Sequence, residues 1–123
     1  MNKAQAYDAF WNRFGIKFYE ESAVPEKEAF PYGTYESSLN SFDDGKLALD
    51  ASLWFKSMSW EEAMLLTDRI SHFIGEGGVT VPYDGGMIWV TRRSPFARRL
   101  GDESDDQIRR VIIGVNIEFV DAN

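Results

Sequence analysis

The residue types that carry most enzyme chemistry are scarce in this chain. It has no cysteine and a single histidine, His72, so disulfides and thiolate metal sites are excluded, and a zinc site would need carboxylates for its remaining ligands. A general base needs partners, and the serine and acidic residues around His72 follow the ordinary pattern of a helix surface. We therefore interpret His72 as a surface or capping residue.

Other motifs that could do chemistry are weak. Adjacent carboxylates occur at Glu20-Glu21, Asp43-Asp44, Glu61-Glu62 and Asp105-Asp106. Paired acids serve glycosidases and nucleases, but neighbours in a strand point to opposite faces, and no pattern here buries them to tune their pKa values. The glycine-rich run 75–78 follows a predicted helix, whereas a phosphate loop precedes one. The sequence predicts no catalytic site, no cofactor and no metal, and a small hydrolase is the weakest alternative.

The stretch with the strongest chemical character is rich in arginine. A predicted strand carrying Trp89 leads directly into a segment with Phe96 at its centre. Tryptophan and arginine anchor many protein interfaces, and the arginine fork suits carboxylate partners. We predict that a protein interface is made by Trp89, Arg92, Arg93, Phe96, Arg98 and Arg99. The alternative is a solvated loop whose charges pair within it.

The charge distribution also favours contact between proteins. The net charge is −7, and an acidic chain is a poor general binder of nucleic acid because phosphate repels it. Six of the 13 basic residues lie between positions 92 and 110, around an acidic run at 102–106, and such alternating blocks suit contacts between copies of one protein. We find no membrane span and no signal peptide, so we expect synthesis in the cytoplasm.

Two helices are predicted, each from a capping box and a terminating glycine. Asn2 and Gln5 cap the first helix, and Ser59 and Glu62 cap the second. The first helix carries four aromatic rings on one face, which we assign to the core. These rings belong to Tyr7, Phe10, Trp11 and Phe14, and the terminating glycines are Gly15 and Gly75.

Strands account for the other predicted elements. Residues 47–55 alternate, with one wholly apolar face and with Trp54 on the mixed face, after a turn at 43–46. Two short strands at 79–83 and 87–91 form a hairpin, and a last strand at 108–120 has a mid-strand glycine that predicts a bulge or a close backbone approach. The predicted fold class is α+β, a mostly antiparallel sheet with two helices packed against it, in one domain over residues 1–123.

Seven segments carry a resemblance that covers nearly the whole chain. They are the N-terminal helix, Val24-Pro25, the run 30–35, the run 52–55, the helix with Trp60, the run 77–79 and the run 84–90. In this order they resemble the tail terminators, which are small tail-completion proteins of long-tailed phages and prophages. The acidic run 102–106 departs from the family pattern and leaves the ring geometry open.

The resemblance implies an α+β fold without an active site, assembled as a hexameric ring at the head-proximal end of the tail tube. The ring would stop tube polymerisation and offer a docking surface for head–tail joining. The expected partners are further copies of the chain, the tail tube protein and the head connector protein, with no membrane and no specific nucleic acid. The expected location is the virion tail. Two alternatives stay open: a head–tail connector of the stopper or adaptor kind, and a host-directed regulatory binding module.

Overall fold

The computed structural model describes residues 1–37, 46–101 and 105–121. The turn predicted at 43–46 lies mostly outside these ranges, as does part of the acidic run. The described residues form two helices and six strands. In chain order these are α1 (Lys3–Trp11), β1 (Phe18–Glu20), β2 (Tyr32–Tyr35), β3 (Lys46–Lys56), α2 (Glu61–Ile74), β4 (Val79–Tyr83), β5 (Gly86–Gly101) and β6 (Ile108–Asp121).

The strands form one sheet in the order β1-β2-β3-β6-β5-β4. Only β1 and β2 pair in parallel, and the other neighbours are antiparallel. Both helices cover the same face: Phe14, in the turn after α1, lies 5.5 Å from Phe73 of α2, and Tyr7 of α1 lies 5.5 Å from Tyr35 of β2, measured between ring centroids. The predicted α+β class, with a mostly antiparallel sheet, is confirmed.

The core fills the space between this face and the helices. The predicted apolar faces of the two central strands both point into it, because side chains in a strand alternate between the two sides of the sheet. The buried strand residues are Leu49, Ala51, Leu53 and Phe55 of β3 and Val111, Ile113, Val115 and Ile117 of β6. The predicted assignment of the α1 aromatic rings to the core is also confirmed, since all four are buried.

The capping box of α1 is confirmed, but the helix ends before Gly15. The Asn2 side chain accepts from the Gln5 amide at 2.8 Å, and the Gln5 side chain accepts from the Asn2 amide at 2.9 Å. The helix stops at Trp11 because Asn12 turns toward β1, where its side-chain oxygen accepts a hydrogen bond from the Phe18 amide at 2.8 Å.

The capping box predicted for α2 is wrong. The helix begins at Glu61, one residue later than the box requires, and its N-cap is Trp60. The Ser59 hydroxyl still accepts a hydrogen bond from the Glu61 amide at 3.1 Å, so the serine supports the helix start without Glu62. The predicted end of the helix at Gly75 is confirmed.

The arginine-rich segment is part of a long strand. A strand was predicted over 87–91, but β5 extends to Gly101, because β6 pairs with it up to Arg92 and again from Ala97. A bulge between Arg92 and Ala97 interrupts the register. A bulge or a close backbone approach was predicted at Gly114, and the bulge of β5 lies opposite this glycine. The close approach is made by a side chain, since a Cβ atom at Gly114 would lie 2.8 Å from Nε of Arg93.

Candidate assembly surface

The arginine-rich half of β5 lies at a free edge of the sheet. β4 pairs with β5 only along Gly86–Val90. Beyond that point, residues 91–101 have β6 on one side and, among the described residues, no strand on the other. A strand edge presents unpaired backbone groups, so this half of β5 is open to contact.

Strand alternation divides the four predicted arginines between two faces. Arg92 and Arg99 stand opposite Val115 and Val111, on the helix-covered face. Arg98 stands opposite Ile112, on the face that the helices leave open. Arg93, within the bulge, also lies on the open face, over Gly114. The four cations therefore do not form a single patch.

Two of these arginines are held inside the subunit. Arg92 donates a hydrogen bond to the Ser71 hydroxyl of α2 at 2.8 Å. Arg93 forms an ion pair with Asp50 of β3 at 2.6 Å between the nitrogen and the oxygen. Phe96 packs against the core as a partly buried residue. These three side chains connect β5 to α2, to β3 and to the core, and only part of each is accessible to solvent.

The other two arginines are exposed. Arg98 makes no hydrogen bond or ion pair with any residue in the described ranges, and Arg99 places its guanidinium carbon 5.4 Å from the centre of the Trp60 ring. Arg109 lies 5.3 Å from the same ring. Trp60 was not among the predicted interface residues. In the sequence it lies in the predicted first turn of the second helix, a position that does not indicate a surface contact.

Trp89 belongs to a second exposed region, at the other end of β5. It lies on the open face opposite Glu118, is 40% exposed, and donates its indole N–H to the Gly77 carbonyl at 2.9 Å. Met87 and Val120, which stand opposite each other, are 42% and 48% exposed. We call Met87, Trp89 and Val120 the apolar patch. A groove of about 510 Å³ borders it.

The open face also carries a stacked aromatic pair, on β2 and β3. The rings of Tyr32 and Trp54 lie parallel within 15°, with centroids 6.2 Å apart. The Arg110 guanidinium carbon lies 4.5 Å from the Trp54 ring centre, and its Nε donates to the Ser52 hydroxyl at 3.1 Å. Trp54 was predicted to face a covering layer or an interface. Neither helix covers it.

His72 lies apart from these surfaces. It is an exposed residue of α2 and lines a groove of about 600 Å³ between α2 and the turn that follows α1, together with Arg13, Phe14, Leu65, Asp68, Arg69 and Phe73. No group of three or more potential metal ligands occurs among the described residues. Within the same residues, neither helix is long and apolar enough to cross a membrane.

We call residues 91–101 of β5 the arginine edge. Together with the open face and the apolar patch, it offers aromatic rings, aliphatic side chains and guanidinium groups, the chemistry that binds other proteins. Comparisons with models of protein families, with curated proteins and with solved structures find no match for this chain.

Proposed function

We propose that this chain is a tail terminator, a structural protein that assembles as a ring on the head-proximal end of a phage tail tube. The sequence resemblance is the basis for proposing both the family and its assembly as a ring. The observation that carries the proposal is the free edge of β5, which presents Arg98 and Arg99 to solvent on a chain with a net charge of −7.

The physical basis is the way in which rings close. In a ring, one patch of each subunit meets a different patch of the next subunit. A cationic strand edge on an acidic protein provides two unlike surfaces, and charge complementarity gives such a contact its specificity. Charged side chains also keep a free edge from pairing indiscriminately.

The remaining open surfaces suit the other two partners. The apolar patch and the stacked pair of Tyr32 and Trp54 lie on the face that neither helix covers. We assign contacts with the tail tube protein and the head connector protein to this face. The proposal gives the chain no catalytic role and places it in the virion tail.

Electron microscopy of tail tubes tests the proposal. Gold-labelled protein is added to growing tubes of the phage whose genome encodes this chain. We expect the label at one end of each tube and an arrest of growth at that end. The variant Trp89→Ser, if folded, should bind the tube more weakly than the wild-type protein, because it lacks the exposed indole ring.

Other results would identify the alternatives. Label at the junction of complete virions but never on isolated tubes would indicate a stopper or adaptor. Failure to bind tubes, together with co-purification of a bacterial protein, would contradict the proposal and favour the regulatory module.

A further inference from the structure

We propose that the arginine edge of one subunit binds the acidic β1 edge of the next copy, through Arg98 and Arg99 on one side and Glu21 and Glu26 on the other. We call the β1 strand and the following loop, residues 18–31, the acidic edge. This inference rests on the proposed ring and names the surface that receives the arginines.

The two edges stand at the same level of the sheet. Arg98 lies opposite Ile112 in β6, Ile112 opposite Ser52 in β3, and Ser52 opposite Thr34 in β2. Thr34 in turn stands opposite Tyr19 of β1. One row of paired residues therefore runs from the arginine edge to the acidic edge. Neighbouring copies placed side by side would bring these edges together without a shift along the strand direction.

The acidic edge carries the complementary charge. Residues 20–28 contain four glutamates and one lysine. The loop folds back over β1, since the Glu28 carboxylate accepts a hydrogen bond from the Tyr19 hydroxyl. Glu21 and Glu26 are exposed and form no side-chain hydrogen bond or ion pair with the described residues, which leaves both carboxylates available.

The two edges cannot neutralise each other within one subunit. Three strands lie between them, and four steps of about 4.8 Å place the edges about 19 Å apart. This distance exceeds the Debye length of about 10 Å at 0.1 M salt. Their attraction is therefore realised only between copies.

Side chains, not a shared ladder, would make the contact. The outward amide of Phe18 already donates to Asn12 at 2.8 Å, and the outward carbonyl of Glu20 accepts from Ala23 at 2.8 Å. With these two outward groups already satisfied, β1 offers only an incomplete ladder to an added strand. Guanidinium–carboxylate pairs can still form, with the geometry that arginine favours.

Charge exchange between two variants tests this contact. The first variant is Arg98→Glu with Arg99→Glu, and the second is Glu21→Lys with Glu26→Lys. Each is incubated with tail tubes, alone and mixed in equal amounts, and rings are counted by electron microscopy. Each variant alone should form at least ~10-fold fewer rings, because like charges now face each other. The mixture should restore them, since alternating copies again match at every contact.

A matched control separates this contact from a change in net charge. Glu61→Lys with Glu62→Lys makes the same charge change as Glu21→Lys with Glu26→Lys, but on two exposed residues of α2. This control should leave ring formation unaltered. Circular dichroism confirms that each monomer is folded.

The outcomes distinguish the inference from the proposed function. Rings from the glutamate variant at the wild-type level, or no recovery in the mixture, would overturn the pairing of the two edges while leaving the terminator proposal intact. Absence of rings and of tube binding for the wild-type protein would overturn the proposed function itself.

Discussion

At the scale of single residues, the arginines of β5 differ in what they contact. Arg93 pairs with Asp50 and lies over Gly114, whereas Arg98 contacts no charged group in the described ranges. We expect Arg93→Ala to lower the free energy of unfolding by about 1 kcal/mol, a modest value because solvent screens the half-exposed pair. Arg98→Ala should change it by less than about 0.5 kcal/mol. Urea denaturation measures both, and equal effects would contradict the assignment.

Two adjacent glycines offer a second residue-scale test. A Cβ atom at Gly78 would lie 2.6 Å from the Trp89 indole nitrogen and 2.6 Å from the Val90 carbonyl oxygen, and the residue has a φ of +85°. At Gly77 a Cβ atom would meet nothing within 4 Å. Gly78→Ala should therefore cost more than about 2 kcal/mol of unfolding free energy, from overlap and backbone strain, and Gly77→Ala much less. Thermal unfolding of both variants decides, and similar melting temperatures would refute the packing described for Trp89.

The buried hydroxyl of Tyr35 makes the stability of the folded chain depend on pH in the alkaline range. Burial raises the pKa of its hydroxyl, and its hydrogen bond to Asp8 at 2.7 Å acts in the same direction. The unfolded chain ionises this group near pH 10, while the folded chain keeps it neutral to a higher pH. Its contribution to stability is thus intact below about pH 10 and is lost as the pH rises further.

Denaturant unfolding between pH 8 and pH 11 checks this expectation. The wild-type protein should lose stability above about pH 10, and Tyr35→Phe should show a shallower decline because the ionising group is gone. An identical decline in the two proteins would show that Tyr35 does not contribute.

At the scale of elements, the start of α2 is stabilised by the side chain of one serine. Ser59 accepts from the Glu61 amide, whereas Glu62 takes no part in a capping box. Ser59→Ala should lower the free energy of unfolding by about 1 kcal/mol, and Glu62→Ala by less than about 0.5 kcal/mol. Chemical denaturation gives both values. A larger loss for Glu62→Ala would restore the capping box as the better description.

The elements with strong local patterns could be predicted from the sequence. The alternation in β3 and β6 and the aromatic face of α1 identify their buried sides directly, because the period of apolar residues reflects the side-chain geometry of strands and helices. The length of β5 could not be predicted. Its second half combines proline, serine and arginine, which resemble a loop, and it is extended because β6 pairs with it from far along the chain.

The arrangement of the proposed interface residues could be predicted only in part. Their residue types led us to predict a binding surface, but their division between two faces depends on the bulge between Arg92 and Ala97. The partner of Arg93 is 43 positions away. Contacts at that separation come from the sheet order, which local spacing does not specify.

At the scale of the whole molecule, the sheet order connects the fold to assembly. The short β4 leaves half of β5 without a neighbour, and the order places the acidic β1 at the opposite side. A subunit with unlike edges on opposite sides is suited to a closed ring of identical contacts. In the proposed assembly, the open face is then left for the tail tube protein and the head connector protein.

Tail length tests the central claim most directly. Tube growth is followed by electron microscopy with wild-type protein, with the folded Arg98→Glu, Arg99→Glu variant, or with neither. Our account predicts that the wild-type protein stops elongation, whereas the variant leaves tubes as long and as varied in length as those grown without either protein. Tubes of normal, uniform length with the variant would contradict it.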